Sequence, residues 1–235
     1  MWKRTIVILA LTVWVPFSMS NGRAGFPKGE TYTAVPHSVD PTKKYLFYMH
    51  GSWIEMNGLN QTHPLHGLYE YDRVVNAFLE RGIVVISEAR LIRVPIGRYA
   101  NNVAGQVRLL LNRGLSPGHI TVIGHSKGGH MALLVASIME EDDVNFVVMA
   151  RCGKKGTQFR RGYETFLKKR ASSLRGRILT IYDTDDRVSG ICREAFEMAP
   201  RSTTQKIVLH TRKGHGLFYS PEPIWIDHVV RWAER

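Results

Sequence analysis

The stretch that decides the fold is Ile120-Thr121-Val122-Ile123-Gly124-His125-Ser126-Lys127-Gly128-Gly129, followed by a small-residue run to Ala136. Ile120–Ile123 is β-branched and apolar on nearly every position. That is how a strand buried on both faces reads. Gly124 and Gly128 frame Ser126 in a G-x-S-x-G pattern, and Lys127 to Met139 continues with helical spacing. A strand, a sharp turn and a helix in direct succession lift a hydroxyl clear of a sheet edge. The glycines leave room for the turn and for close strand–helix packing.

The same two periods recur outward from this segment. Short strand-like runs lie at Tyr45–Met49, Ile83–Ser87, Phe146–Ala150, Ile178–Tyr182 and Lys206–His210, with Thr31–Val35 as an added leading strand. Amphipathic stretches at Tyr71–Arg81, Tyr99–Leu111 and Ile224–Trp232 separate them. Alternation of this kind predicts right-handed crossovers, a mostly parallel sheet and helices on both of its faces, a three-layer α/β architecture. The chain has 235 residues, 44% apolar and 22% charged, which excludes a disordered or collagen-like chain. No linker or repeat divides it, so one domain is expected over residues 21–235.

Residues 1–20 read differently. Lys3 and Arg4 precede an apolar run from Thr5 to Phe17, and Ser18-Met19-Ser20 supplies small residues. This is the three-part pattern of a secretory signal, with Ala24 as a second cleavage position and an uncleaved membrane anchor as the alternative. Export to a periplasmic or extracellular space follows. The net charge is +12, densest from Arg151 to Arg177. No nucleic-acid-binding signature accompanies it. The basic face is either simply solvated or attracted to an anionic membrane or envelope polymer.

A serine hydroxyl needs a base, and the base needs an orienting carboxylate. Lys213-Gly214-His215-Gly216 follows the last strand-like run, which makes His215 the candidate base. Asp183, Asp185 and Asp186 follow the run before it. Asp186 is preferred; Asp183 and Asp185 read better as turn residues, with Asp183 as the main alternative acid. The order Ser126, Asp186, His215 results. The oxyanion donors expected are the backbone N–H groups of Lys127 and of Ser52, with Trp53 as alternate to Ser52.

With these segments in order, the chain from Tyr45 to Trp232 resembles the α/β-hydrolase superfamily. Its His50-Gly51 loop, Gly124–Gly129 elbow, Asp183–Val188 acid turn and Gly214–Gly216 loop carry the likeness. Within the superfamily it resembles small exported bacterial hydrolases, through Tyr69–Asp72 and Val85–Arg90. The resemblance implies an eight-stranded core trimmed at its N-terminus, and ester hydrolysis through an acyl-enzyme. The chain departs from many relatives in one respect: Arg151 to Leu174 has room for one basic helix rather than a full lid, so an open site is expected. Trp53, Tyr69 and Tyr71 are either pocket lining or core. Cys152 and Cys192 follow adjacent strands and are either bridged or two free thiols.

His63 and His66 lack the partners of a metal site, and no metal or cofactor is called for. The expected substrate is a small-molecule or lipid-like ester. A thioesterase or peptidase of the same fold, and a non-catalytic binding protein on that scaffold, are the competing readings.

Overall fold

The computed structural model describes residues 28–90 and 93–235, so the secretory-signal reading of residues 1–20 lies outside the described residues. Seven parallel strands form the central sheet: β1 (Thr31–Tyr32), β2 (Tyr45–Met49), β3 (Val84–Ile86), β4 (Ile120–His125), β5 (Asn145–Met149), β6 (Gly176–Asp183) and β7 (Ser202–Leu209). Their order is β1-β3-β2-β4-β5-β6-β7. The resemblance implied eight strands; among the described residues the sheet has seven.

Strand residues alternate between two cores, as the pleat requires. Tyr45, Phe47 and Met49 of β2 face a core shared with Val103, Val107, Ala132, Val135 and Phe166. These come from α3 (Ile96–Asn112), α4 (Lys127–Ile138) and α5 (Arg160–Arg170). Leu46 and Tyr48 face the opposite core, with Val74, Phe78, Trp225 and Val229. That layer holds α2 (Tyr71–Leu79) and α7 (Pro223–Ala233). Two shorter helices, α1 (Ser52–Asn57) and α6 (Arg193–Glu197), lie in the connections.

The strand order reverses at β2. The chain leaves β2 for β3 on one side and returns through α3 to β4 on the other. Loops leaving the carboxyl ends of β2 and β4 therefore part at a crevice, the usual ligand position in such sheets. Register keeps those ends level: Met49 is opposite Gly124, His125 opposite Met149, and Met149 opposite Ile181.

Beyond β5 the chain makes a short antiparallel ribbon, Cys152–Gly153 with Ser189–Gly190. A disulfide joins Cys152 to Cys192, with Cα atoms 5.1 Å apart, and fastens this ribbon to the segment after β6. The segment from Ile54 to Glu70, expected as a long loop, carries the remainder of α1 and a hairpin of Thr62–His63 with Gly67–Leu68.

Two glycines permit the turn at Ser126. A Cβ on Gly124 would sit 2.2 Å from the Gly128 carbonyl carbon, and one on Gly128 would sit 1.9 Å from the Met49 oxygen. Gly105, exposed in the middle of α3, has nothing within 4 Å. Gly128→Ala should therefore prevent stable folding or sharply lower Tm. Gly105→Ala should raise stability by about 0.5–1 kcal/mol. Thermal melts of both variants check the pair; an unchanged Gly128→Ala melt would contradict this packing.

Candidate active site

Ser126 stands between β4 and α4 at φ 55° and ψ −114°. This left-handed conformation is costly for a residue with a side chain. It is held by the Ser126 N–H donating to the Met149 carbonyl at 2.9 Å and by α4 starting at once, with His130 N–H donating to the Ser126 carbonyl at 3.2 Å. Ser126 lines a cleft of about 740 Å³ together with Ser52, Trp53, Asp186 and His215. The structure thus brings the sequence-predicted serine, aspartate and histidine to one cavity.

His215 lies in a 3₁₀ turn, Gly214–Tyr219, beyond β7. Its Nδ1 is 2.8 Å from Asp186 Oδ2. A proton on Nδ1 donated to that carboxylate leaves Nε2 as the acceptor of a neutral ring. Asp186 also accepts from Val188 N–H at 2.9 Å, Ser189 N–H at 3.0 Å and Ser189 Oγ at 2.6 Å. Burial pushes its carboxyl up. The hydrogen bond and charge of His215, with the Ser189 and Val188 bonds, outweigh that and hold it at about 2.

Asp183, the alternative acid, bonds Asp185 and Thr211, while His215 bonds Asp186. Asp183 is fully buried, and its carboxylate accepts from Asp185 N–H at 2.9 Å and from Thr211 N–H at 2.8 Å, with Thr211 Oγ as a further donor. It ties the acid turn to the strand end that leads to His215.

The other wall starts at the end of β2. Ser52 opens α1 and Lys127 opens α4, so both backbone N–H groups are first-turn donors without an intrahelical acceptor. Glu55, buried on α1, connects these two elements. Its carboxylate pairs with Lys127 Nζ on one oxygen and with Arg90 Nε, at 2.8 Å, on the other. Lys127 Nζ also donates to the Val94 carbonyl at 3.1 Å. Arg90 continues to the His50 carbonyl, and the Arg90 N–H donates to His50 Nε2 at 2.9 Å. Sequence reasoning missed this network. Glu55 and Arg90 are 35 residues apart, and nothing in their local pattern marks either as buried.

Of the three aromatics left open as lining or core, Trp53 lines the cleft. Tyr69 and Tyr71 are core residues: the Tyr69 hydroxyl bonds Tyr48 at 2.9 Å, and the Tyr71 hydroxyl bonds Ser87 at 2.6 Å. His63 and His66, set aside in the sequence, also line the cleft. Their rings stack at 4.4 Å, and His66 lies 5.8 Å from His215. Among the described residues no group of three or more acidic, histidine or cysteine side chains could hold a metal ion. No described helix is long and apolar enough to cross a membrane.

No family model matches the sequence, and the search of curated proteins finds no relative. Solved structures do match. SOBER1 of Arabidopsis thaliana superposes with a TM-score of 0.51 at 14% identity, over 83% of this chain and 99% of that one. A lipase-esterase related protein of Clostridium acetobutylicum gives 0.52 at 12% identity, over 84% and 98%. An acetyl xylan esterase of a Paenibacillus species gives 0.50 at 14% identity, over 86% and 77%. The fold is that of the α/β-hydrolases.

Several imidazoles near the site are held neutral, among them His125, which burial lowers well below its ordinary value. Burial, then the charge of Arg90, lowers His50 to about 3. Burial, then Arg151, lowers His130 to about 3. Burial, with His63 and His215 adding, lowers His66 to about 4. Below the ordinary histidine value of 6.5 the unfolded chain takes up these protons and the folded one does not, so acid favours unfolding. The Asp186 contribution has the opposite origin and the same sign: present above 3.8, it is lost as pH falls towards about 2. Tm should decline continuously from about pH 6.5 downwards, with Asp186→Asn flattening the decline below about pH 4. A Tm constant between those values would contradict neutral burial of the histidines.

Proposed function

We propose that the protein is a serine hydrolase that cleaves carboxylic esters through an acyl-enzyme. The observation that carries the reading is one cleft holding Ser126, on its left-handed turn, and His215, with Nδ1 committed to Asp186 at 2.8 Å. Ser126 Oγ attacks the ester carbonyl while His215 Nε2 takes its proton. Asp186 stabilises the imidazolium that forms. The oxyanion is received by the backbone N–H groups of Lys127 and Ser52, with Trp53 N–H next in line. The imidazolium then protonates the departing alcohol, and water repeats the sequence in reverse to release the acid.

The structural neighbours support this reading through the names they carry, esterase and lipase-esterase related protein. The half-apolar cleft, with Trp53, Met56, Leu65 and Phe159 on its walls, suits an acyl or aryl group. No cofactor enters the chemistry. The same reading sends the enzyme out of the cytoplasm, supported by the basic-apolar-small start of the sequence and by the Cys152–Cys192 bridge, a bond that persists in oxidising compartments.

4-Nitrophenyl esters of graded acyl length test the proposal. Wild-type protein should turn over at least the short members, and Ser126→Ala and His215→Ala should each lower kcat by about three orders of magnitude or more. Ser126→Ala retaining most of the activity would contradict the mechanism.

A further inference from the structure

The cleft carries more positive charge than its proposed chemistry requires. Arg187 directly follows Asp186, and Arg212 and Lys213 directly precede Gly214 and His215; all three are exposed and line the cleft. Lys213 pairs with Glu222 at 2.5 Å. Among the described residues, neither Arg187 nor Arg212 lies within 4.0 Å of a carboxylate. Two further cations stand behind the lining. Lys154 Nζ donates to the Asp186 carbonyl at 2.5 Å, and Arg151, 8% exposed, donates to His130 Nδ1 at 3.0 Å through Nε. Among the described residues, Arg151 and Lys154 also have no carboxylate partner.

Arg151 packs 5.0 Å from the centre of the Phe159 ring, and Phe159 in turn lies 5.7 Å from His215. Burial lowers Arg151 to about 10, so it stays a cation at neutral pH. Against these four charges the cleft lining offers Asp185 and Asp186, and Asp186 is already engaged by His215. Arg151 is held by His130 through two nitrogens and lies outside the cleft lining, so it adds its charge to the field at Arg187 and Arg212 rather than a seat for a ligand. Cations concentrated in a cleft with low-dielectric walls raise the local concentration of anions.

We propose that the substrate is an ester carrying its own anionic group, seated at Arg187 and Arg212 beside the carbonyl held at Ser126. Trp53 and Met56 on α1, with Leu65 in the hairpin turn, take the uncharged remainder. This inference rests on the hydrolase reading of the same cleft, and the test separates the two.

The acyl arm compares mono-4-nitrophenyl glutarate with 4-nitrophenyl valerate, which have acyl chains of equal length. The leaving-group arm compares 4-acetoxybenzoate with its methyl ester. In at least one arm the anionic member should be favoured in kcat/KM by about tenfold at low salt. The preference should shrink several-fold on going from about 0.01 M to about 1 M salt. In the Arg187→Gln/Arg212→Gln variant the ratio should approach one. Ratios at or below one in both arms, with the neutral esters hydrolysed, would overturn the inference and leave the hydrolase standing. If no ester is hydrolysed, titration calorimetry on Ser126→Ala with the same four compounds decides. Binding of an anionic member that is lost in the double-glutamine background supports the anion site without the hydrolase. Binding of none overturns it.

Discussion

The backbone of α4 presses against the end of β2 more closely than any side chain allows. The Gly128 Cα approaches the Met49 carbonyl so closely that a methyl there would overlap the oxygen, and Gly124 meets Gly128 in the same way. Everything at the cleft follows from this approach. The chain has a single residue, Ser126, in which to turn from strand to helix, and it does so with positive φ. The loop leaving β2 is brought alongside the first turn of α4, so two helix N-termini and one serine share a cavity. A hydroxyl forced out of the sheet plane beside unpaired backbone donors is the physical core of the account.

Two polar systems hold the walls around that turn. On one side Glu55 is gripped by Lys127 and Arg90, and Arg90 is bonded to His50, so α1, the β3 exit and the start of α4 are tied together. Burying so many charges is costly unless each is answered, and removal of one partner leaves the others exposed to that cost. On the other side Asp186 and Asp183 divide the work. Asp186 faces His215, while Asp183 pins Thr211 and keeps the histidine loop at the acid turn. The disulfide at Cys152–Cys192 and the small ribbon at Ser189–Gly190 anchor the far side of that turn.

Much of this was legible in the sequence, for identifiable reasons. Strands buried on both faces are apolar throughout, so β2, β4 and β5 were found to within a residue or two at each end. Ser126, Asp186 and His215 were legible as candidates because each follows the carboxyl end of a strand-like run, and the structure places all three at one cleft. β7 starts four residues earlier than expected, at Ser202, because its first half, Ser202 to Gln205, is polar and largely exposed at the sheet edge. Tyr69 and Tyr71 resisted assignment because a tyrosine reads alike in a pocket wall and in a core with a hydroxyl partner. The Glu55–Arg90–Lys127 cluster and the seats of His63 and His66 depend on contacts between distant segments, which no local pattern records.

The central claim is that the turn at Ser126 presents an activated nucleophile. Treatment of the purified protein with a fluorophosphonate, followed by intact-mass and peptide mapping beside Ser126→Ala, measures this most directly. The account predicts one adduct per chain, located on Ser126 and absent from the variant. No adduct under conditions that fully label a control serine hydrolase, or an adduct that persists in Ser126→Ala, would contradict it.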